Sequence, residues 1–206
     1  MLCSKRLLII AFFTFTAVMS CSERKSYLFK APPAEGNEPD LNEGIATFAE
    51  GCYWHTEIVF QSLKGVRDAV SGYSAGAESV NIYYDTTQLS FKRLVEAFFA
   101  SHDPTQVNRQ GQDVGPQYRS VAFYRNPAEK AVVESQMAAI KASGKYGKRL
   151  ATEVKAFSFF EPADTDQQEY VANHPDQVYV KYYNIPDYLQ FRQQFPGPYK
   201  DSLILQ

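Results

Sequence analysis

From residue 45 onward the apolar positions fall into blocks with two different periods. Ile45 to Glu50 reads as a short strand ended by Gly51, and a helix begins at Cys52, where Trp54/Ile58 and Val59/Leu63 pair at i,i+4. Val66–Tyr73 and Val80–Tyr84 read as strands joined by the small-residue turn Ser74-Ala75-Gly76-Ala77. Phe91, Leu94, Val95, Phe98 and Phe99 make the apolar stripe of a helix over 91–101, with Ser90 as N-cap. Residues 103–117 have no period, and so long a loop in a compact domain is commonly functional. Tyr118–Tyr124 predicts a strand. Asn126, Pro127 and Glu129 are the cap, N1 and N3 of a helix that carries Val133, Met137 and Ile140 and ends near Gly144. Thr152–Phe159 predicts a further strand, and Asp164 and Gln167 open a short helix to about Asn173. Residues 174–206 read as irregular, but their tyrosines and phenylalanines predict a tail wrapped onto the domain. Interleaved strands and helices imply an α+β fold with a single mixed sheet and flanking helices.

The first 44 residues follow other rules. Lys5 and Arg6 precede a mostly apolar run from Leu7 to Val18, too short to span a bilayer comfortably but suited to an export signal over 1–20. Val18-Met19-Ser20-Cys21 resembles the lipobox of bacterial lipoproteins, which makes Cys21 the lipidated first mature residue; the plainer alternative is a secretory signal cut near Ser20. Residues 21–44 then read as lipidated anchor and flexible tether, with a reach of about 25–30 Å. Residues 45–206 are then expected to be the folded domain, exported and held on a membrane, facing the periplasm or the cell surface. Removing residues 1–20 leaves 19 basic and 23 acidic side chains, a formal charge of −4. That balance gives no basic footprint for nucleic acid. With Cys3 removed and Cys21 carrying lipid, Cys52 is left as a lone thiol, which in an exported chain suggests a reactive group.

Cys52 follows a strand and a glycine and sits where a helix starts. Unpaired N–H groups and the positive end of the helix dipole favour thiolate there, lowering the pKa from about 8.5. Gly51 lets the backbone turn sharply, and Tyr53 and Trp54 set aromatic surface beside the sulfur. The alternative is an inert cysteine packed as a small hydrophobe.

Gly51-Cys52-Tyr53-Trp54 resembles the GC[FY]W signature of the peptide methionine sulfoxide reductase A family. Further resemblances follow in order: Ala46–Ala49, Ala77-Glu78-Ser79-Val80, His102-Asp103-Pro104, Asn108–Gly111, Asp113-Val114-Gly115 and Gln117–Ser120. The resemblance runs from about Ile45 through Asn173 and implies a ferredoxin-like α/β sandwich core. It implies a monomeric enzyme in which the Cys52 thiolate attacks the sulfur of methionine-S-sulfoxide, leaving a sulfenic acid that a thiol restores. By the same carry-over Glu78 protonates the sulfoxide oxygen, Tyr118 hydrogen-bonds it, Asp113 binds substrate or orders the loop, and Tyr53 and Trp54 hold the S-methyl group. No metal, flavin or nicotinamide cofactor is implied. Without the resemblance, Glu78 reads as a solvated turn carboxylate and Tyr118 as a core aromatic.

Two departures stand out. The segment from Gly72-Tyr73 to Glu78 is shorter than the family's and lacks its second oxygen-binding tyrosine, for which Tyr73, Tyr83 or Tyr84 could substitute. Residues 53–206 hold no cysteine, so an external thiol, such as an extracytoplasmic thioredoxin-like protein, is expected to regenerate Cys52. Of the histidines, His55 reads as a surface residue near the pocket rim rather than a partner of the thiolate, His102 as a helix C-terminal cap and His174 as surface. Their scatter gives no zinc spacing. A hydrolase pairing Cys52 with a histidine, or a lipoprotein binding module with an incidental cysteine, are the competing readings.

Overall fold

The structure is a computed structural model and describes residues 42–147 and 149–200. The export signal, Cys21 and most of the tether lie outside the described residues. Chain order begins β1 (Glu43–Glu50), α1 (Tyr53–Gln61), β2 (Val66–Ser74), β3 (Ala77–Asp85), α2 (Phe91–Ser101). A small hairpin follows, β4 (Arg109–Gln110) with β5 (Asp113–Val114), then β6 (Ser120–Tyr124) and α3 (Pro127–Ser143). The remainder is β7 (Glu153–Ala156), β8 (Glu161–Pro162), α4 (Tyr170–Asn173) and α5 (Ile185–Gln194), the last entered through a π-helical stretch, Val180–Asn184.

Six strands form one sheet in the order β7-β6-β1-β3-β2-β8. Among the described residues only the β6–β7 pairing is parallel. The central β6-β1-β3-β2 order, with α1 and α2 as crossovers, is the ferredoxin-like arrangement expected. Phe48 on β1 stacks against Phe60 of α1 and Phe98 of α2 at centroid separations of 5.5 and 4.8 Å. This aromatic column, with Ile82, Leu94 and Val95, seals helices to sheet. Burying each such side chain contributes about 1.5–3 kcal/mol.

Local signals placed two helices to the residue. Ser90 Oγ accepts from Arg93 N–H at the start of α2, and Asn126 Oδ1 accepts from Glu129 N–H at the start of α3. Gly144 ends α3 in the left-handed conformation at φ 67°. Elsewhere the expected boundaries need correction. Tyr118 lies in a 3-10 turn, Pro116–Tyr118, and the strand starts only at Ser120. The strand expected over 152–159 is the short β7, and Phe157 to Phe160 leave the sheet before β8 returns to β2. The tail is helical rather than irregular. Tyr188, Phe191 and Phe195 recur at i, i+3 and i+7 and are all buried, so the expected wrapping holds. Pro186 cannot donate a backbone hydrogen bond and crowds the carbonyl four residues back, and the turn before it is π rather than α.

Candidate active site

The site is built where β1 hands the chain to α1. Gly51 has φ +109°, and a Cβ there would stand 2.7 Å from Cβ of Gln110. Gln110 in turn braces the 103–113 loop, accepting from Asp103 N–H at 3.3 Å and donating to Asp103 C=O at 3.1 Å. Cys52 is the N-cap of α1, and its side chain caps nothing. The free N–H groups of the first turn are used by the site instead. Tyr53 N–H donates to Glu78 Oε2 at 3.1 Å and the Trp54 N–H faces the Cys52 sulfur, while His55 N–H donates to the Cys52 carbonyl at 3.1 Å.

Glu78 reaches this point from the second residue of β3. The tight Ala75-Gly76 turn before it is pinned by Arg119, whose guanidinium donates to Ala75 C=O at 2.6 Å and Gly76 C=O at 3.3 Å. On the other side Asp113 accepts from the Tyr179 hydroxyl, which itself accepts from Gln112 Nε2 at 3.2 Å. Trp54 stacks on Tyr170 at 3.8 Å and meets Tyr179 edge-on at 6.0 Å. Tyr53 is buried, and its hydroxyl lies 3.5 Å from that of Tyr73.

The electrostatics run against the simplest expectation for Cys52. Burial pushes its thiol up to about 12, and the charges of Glu78 and Asp113 push the same way; the two backbone N–H groups only partly oppose them. The helix start therefore does not make a resting thiolate, because desolvation and two carboxylates outweigh the dipole. Glu78 is itself pushed up to about 7, first by burial and then by Asp113, with the Tyr53 N–H pulling down. Asp113 is raised by burial and by Asp187. The Tyr118 hydroxyl is raised by burial and by the charges of Glu78, Asp113 and Cys52. The Tyr179 hydroxyl is raised by burial and by Cys52.

Cys52, Glu78, Tyr118, Asp113, Tyr53 and Trp54, the residues that the resemblance picks out, lie close together. Tyr83 and Tyr84 do not join them: their electrostatic neighbours are Arg67 and Asp68, and Arg125 and Glu129, further along β3. Tyr179 joins the site from a segment whose sequence reads as irregular; the i, i+3, i+7 spacing of Tyr188, Phe191 and Phe195 is the signal that a buried helix follows it. His55 is buried rather than at the surface, because α5 packs on α1, and its Nε2 lies 3.2 Å from the Ser101 carbonyl. Burial lowers its pKa. His102 caps α2 as expected, with Nδ1 2.7 Å from Phe98 C=O, and His174 is exposed and stacked on Tyr170. No cluster of metal-binding side chains occurs among the described residues.

A lone sulfur beside a carboxyl that keeps its proton to near neutrality, with tyrosine hydroxyls around both, defines a cysteine-based enzyme with a built-in acid. The family model described as peptide methionine sulfoxide reductase matches residues 44–78 and 75–198, its two parts meeting at the shortened β2–β3 turn. The chain belongs to that family, in its MsrA form. Its relatives include peptide methionine sulfoxide reductase MsrA 2 of Synechocystis, 38% identical over 75% of this chain and 81% of the relative. The MsrA of Nautilia profundicola is 39% identical over 68% of this chain and 90% of the relative. Among solved structures, reduced Mxr1 of Saccharomyces cerevisiae superposes with a TM-score of 0.60 at 26% identity, covering 68% of this chain and 90% of that one. The methionine sulfoxide reductase A of Corynebacterium diphtheriae gives 0.58 at 27% identity, covering 68% and 77%.

Proposed function

We propose that the chain reduces methionine-S-sulfoxide in peptides and proteins through Cys52. The observation that carries this is the shared first turn of α1, which binds the Glu78 carboxyl at the Tyr53 N–H, directly after Cys52, so that the acid and the sulfur stand side by side. Below pH 7 Glu78 holds a proton and Cys52 holds its own. A sulfoxide seated against Trp54, with its oxygen toward Glu78 and Tyr118, takes the Glu78 proton and leaves its sulfur electron-poor. Cys52 then attacks that sulfur, and the thiol proton returns to Glu78. Oxygen passes to Cys52, so sulfoxide plus thiol become sulfide plus sulfenic acid. A thiol pushed up to about 12 suits this order of events, since it is nucleophilic only once a cationic sulfur is in place. Tyr179 holds Asp113 at the rim, where a substrate backbone N–H would donate to it.

The sulfenic acid is resolved by an external thiol, small or carried by a thioredoxin-like protein, because residues 53–206 offer no second cysteine. The Lys5-Arg6 head, the apolar run and Cys21 support export and lipid anchoring, with repair of oxidised exported proteins as the role. The test is turnover of each epimer of a methionine sulfoxide peptide with dithiothreitol. Wild type should reduce the S epimer alone, and Cys52→Ser should reduce neither. Equal turnover by Cys52→Ser would remove the cysteine from the reaction.

A further inference from the structure

A cavity of about 460 Å3 opens between the first turn of α1, the end of α2, the 103–113 loop and α5. Cys52 is part of its wall, as are Asp113 and Tyr179, but Glu78, Tyr118, Tyr53 and Trp54 are not. Cys52 therefore faces a space that shares Asp113 and Tyr179 with the sulfoxide site but from which the Glu78 and Tyr118 side chains are absent. The volume is that of a small-molecule site.

Its lining is strongly one-signed. Asp103, Asp113 and Asp187 contribute carboxylates, against Lys145 alone among the lining cations, while burial raises Glu50 well above the usual carboxyl range, so that it keeps its proton and lines the cavity as a neutral acid. His55 and His102 add no charge, since burial lowers both, His102 to about 4. None of Asp103, Asp113 and Asp187 is in an ion pair among the described residues. Glu50 is 1% exposed; its Oε2 is held by the Ser101 hydroxyl at 2.7 Å, while Oε1 is buried with no hydrogen-bond partner. A buried acceptor without a donor, in the wall of a cavity beside the nucleophile, asks for a ligand N–H.

We propose that this cavity binds the reducing thiol, and that it selects small thiols carrying an ammonium group over those carrying carboxylates. The inference rests on the reductase reading of Cys52 given above. The ammonium sits between the Asp113 and Asp187 carboxylates and donates to Glu50 Oε1, and the thiol sulfur faces Cys52. That sulfur attacks Sγ of the sulfenic acid; the S–O bond breaks, and the oxygen leaves as water with the thiol's proton. The product is a mixed disulfide. A second thiol attacks its own kind's sulfur in that disulfide, releasing Cys52 as thiol and the reductant as its disulfide. Two thiols are oxidised for each sulfenic acid reduced.

The same cation chemistry could come from a lysine beside methionine sulfoxide in the substrate, so the test separates the half-reactions. Enzyme is first mixed with one equivalent of sulfoxide peptide and no thiol, and the methionine formed is measured. The oxidised enzyme is then mixed with cysteamine, 2-mercaptoethanol or 3-mercaptopropionate, and the return of the Cys52 thiol is followed, with rates expressed per thiolate. Cysteamine should show saturation and exceed 3-mercaptopropionate by about tenfold at low ionic strength, with the gap closing as salt is added. Asp187 is exposed, so Asp187→Lys should fold; it should abolish the preference and leave the first mixing unchanged. Equal rates for the three thiols, or a preference that survives Asp187→Lys, would overturn the proposal. So would a charge preference confined to the first mixing with lysine-flanked peptides. Absence of methionine from the first mixing would instead defeat the reductase reading beneath it.

Discussion

Replacing Glu78 by glutamine should move two properties of Cys52 in opposite directions. Glu78 is tied to the first turn of α1 at the Tyr53 N–H, next to Cys52, and its charge acts on the sulfur. At a separation on the order of 5 Å and an effective dielectric of ~40, a carboxylate raises a thiol by about 1.7 kcal/mol, or about one pKa unit. The charge is present only above pH about 7, where Glu78 has lost its proton. At pH 8.5, Glu78→Gln should therefore alkylate with iodoacetamide about tenfold faster than wild type, and at pH 5.5 the two should differ little. Reductase turnover at pH 5.5 should fall by about 10²–10⁴, because the amide has no acidic proton to give, and by less at pH 8.5, where most wild-type Glu78 has already lost its proton. In wild type kcat/KM should decline as pH rises through about 7, and the variant should lack that limb. A variant that keeps turnover within about tenfold of wild type at pH 5.5 would refute Glu78 as the proton donor. Unchanged alkylation at pH 8.5 would refute the charge coupling on which the magnitude depends.

Other substitutions test the frame. Glu57 is fully buried, accepts from Ser71 and Gln61 side chains and from Glu169 N–H, and is pushed up to about 7 by burial. Glu57→Ala should cost about 2–4 kcal/mol in urea unfolding through the stranded donors, and Glu57→Gln less than about half of that. Because the folded state holds the Glu57 proton more tightly, its contribution to stability is full below the unfolded value near 4.5. It is lost as pH rises through about 7, a swing of about 3 kcal/mol readable as a shift in denaturant midpoint. Gly51→Ala forces a positive φ on alanine and drives its methyl into Gln110, so a loss of about 1–3 kcal/mol and faster proteolysis of the 103–113 loop are expected. Tyr179→Phe removes the hydroxyl that donates to Asp113 and should lower kcat/KM about 10–100-fold with little change in melting temperature.

Local chemistry made much of this protein legible from its sequence. Ser90 with the 91–99 stripe, and Asn126-Pro127-Glu129 with Gly144, fixed α2 and α3 because caps and helical faces are settled by residues within about four positions of each other. Gly51-Cys52 before a helical face located the nucleophile for the same reason, and the ordered motifs named the family. Other features depended on residues that meet only after folding. The thiol's pKa rises because Glu78 and Asp113, from β3 and β5, converge on it and water is driven out. Tyr118 turns toward them in a 3-10 turn because Pro116 and Gly115 bend the chain ahead of β6. Tyr179 enters the site because Tyr188, Phe191 and Phe195 bury α5, and that packing also encloses His55 and the cavity beside Cys52. Backbone conformation answers to neighbours along the chain, whereas desolvation and charge coupling answer to distance in space, so the sequence placed the sulfur and the fold set its reactivity.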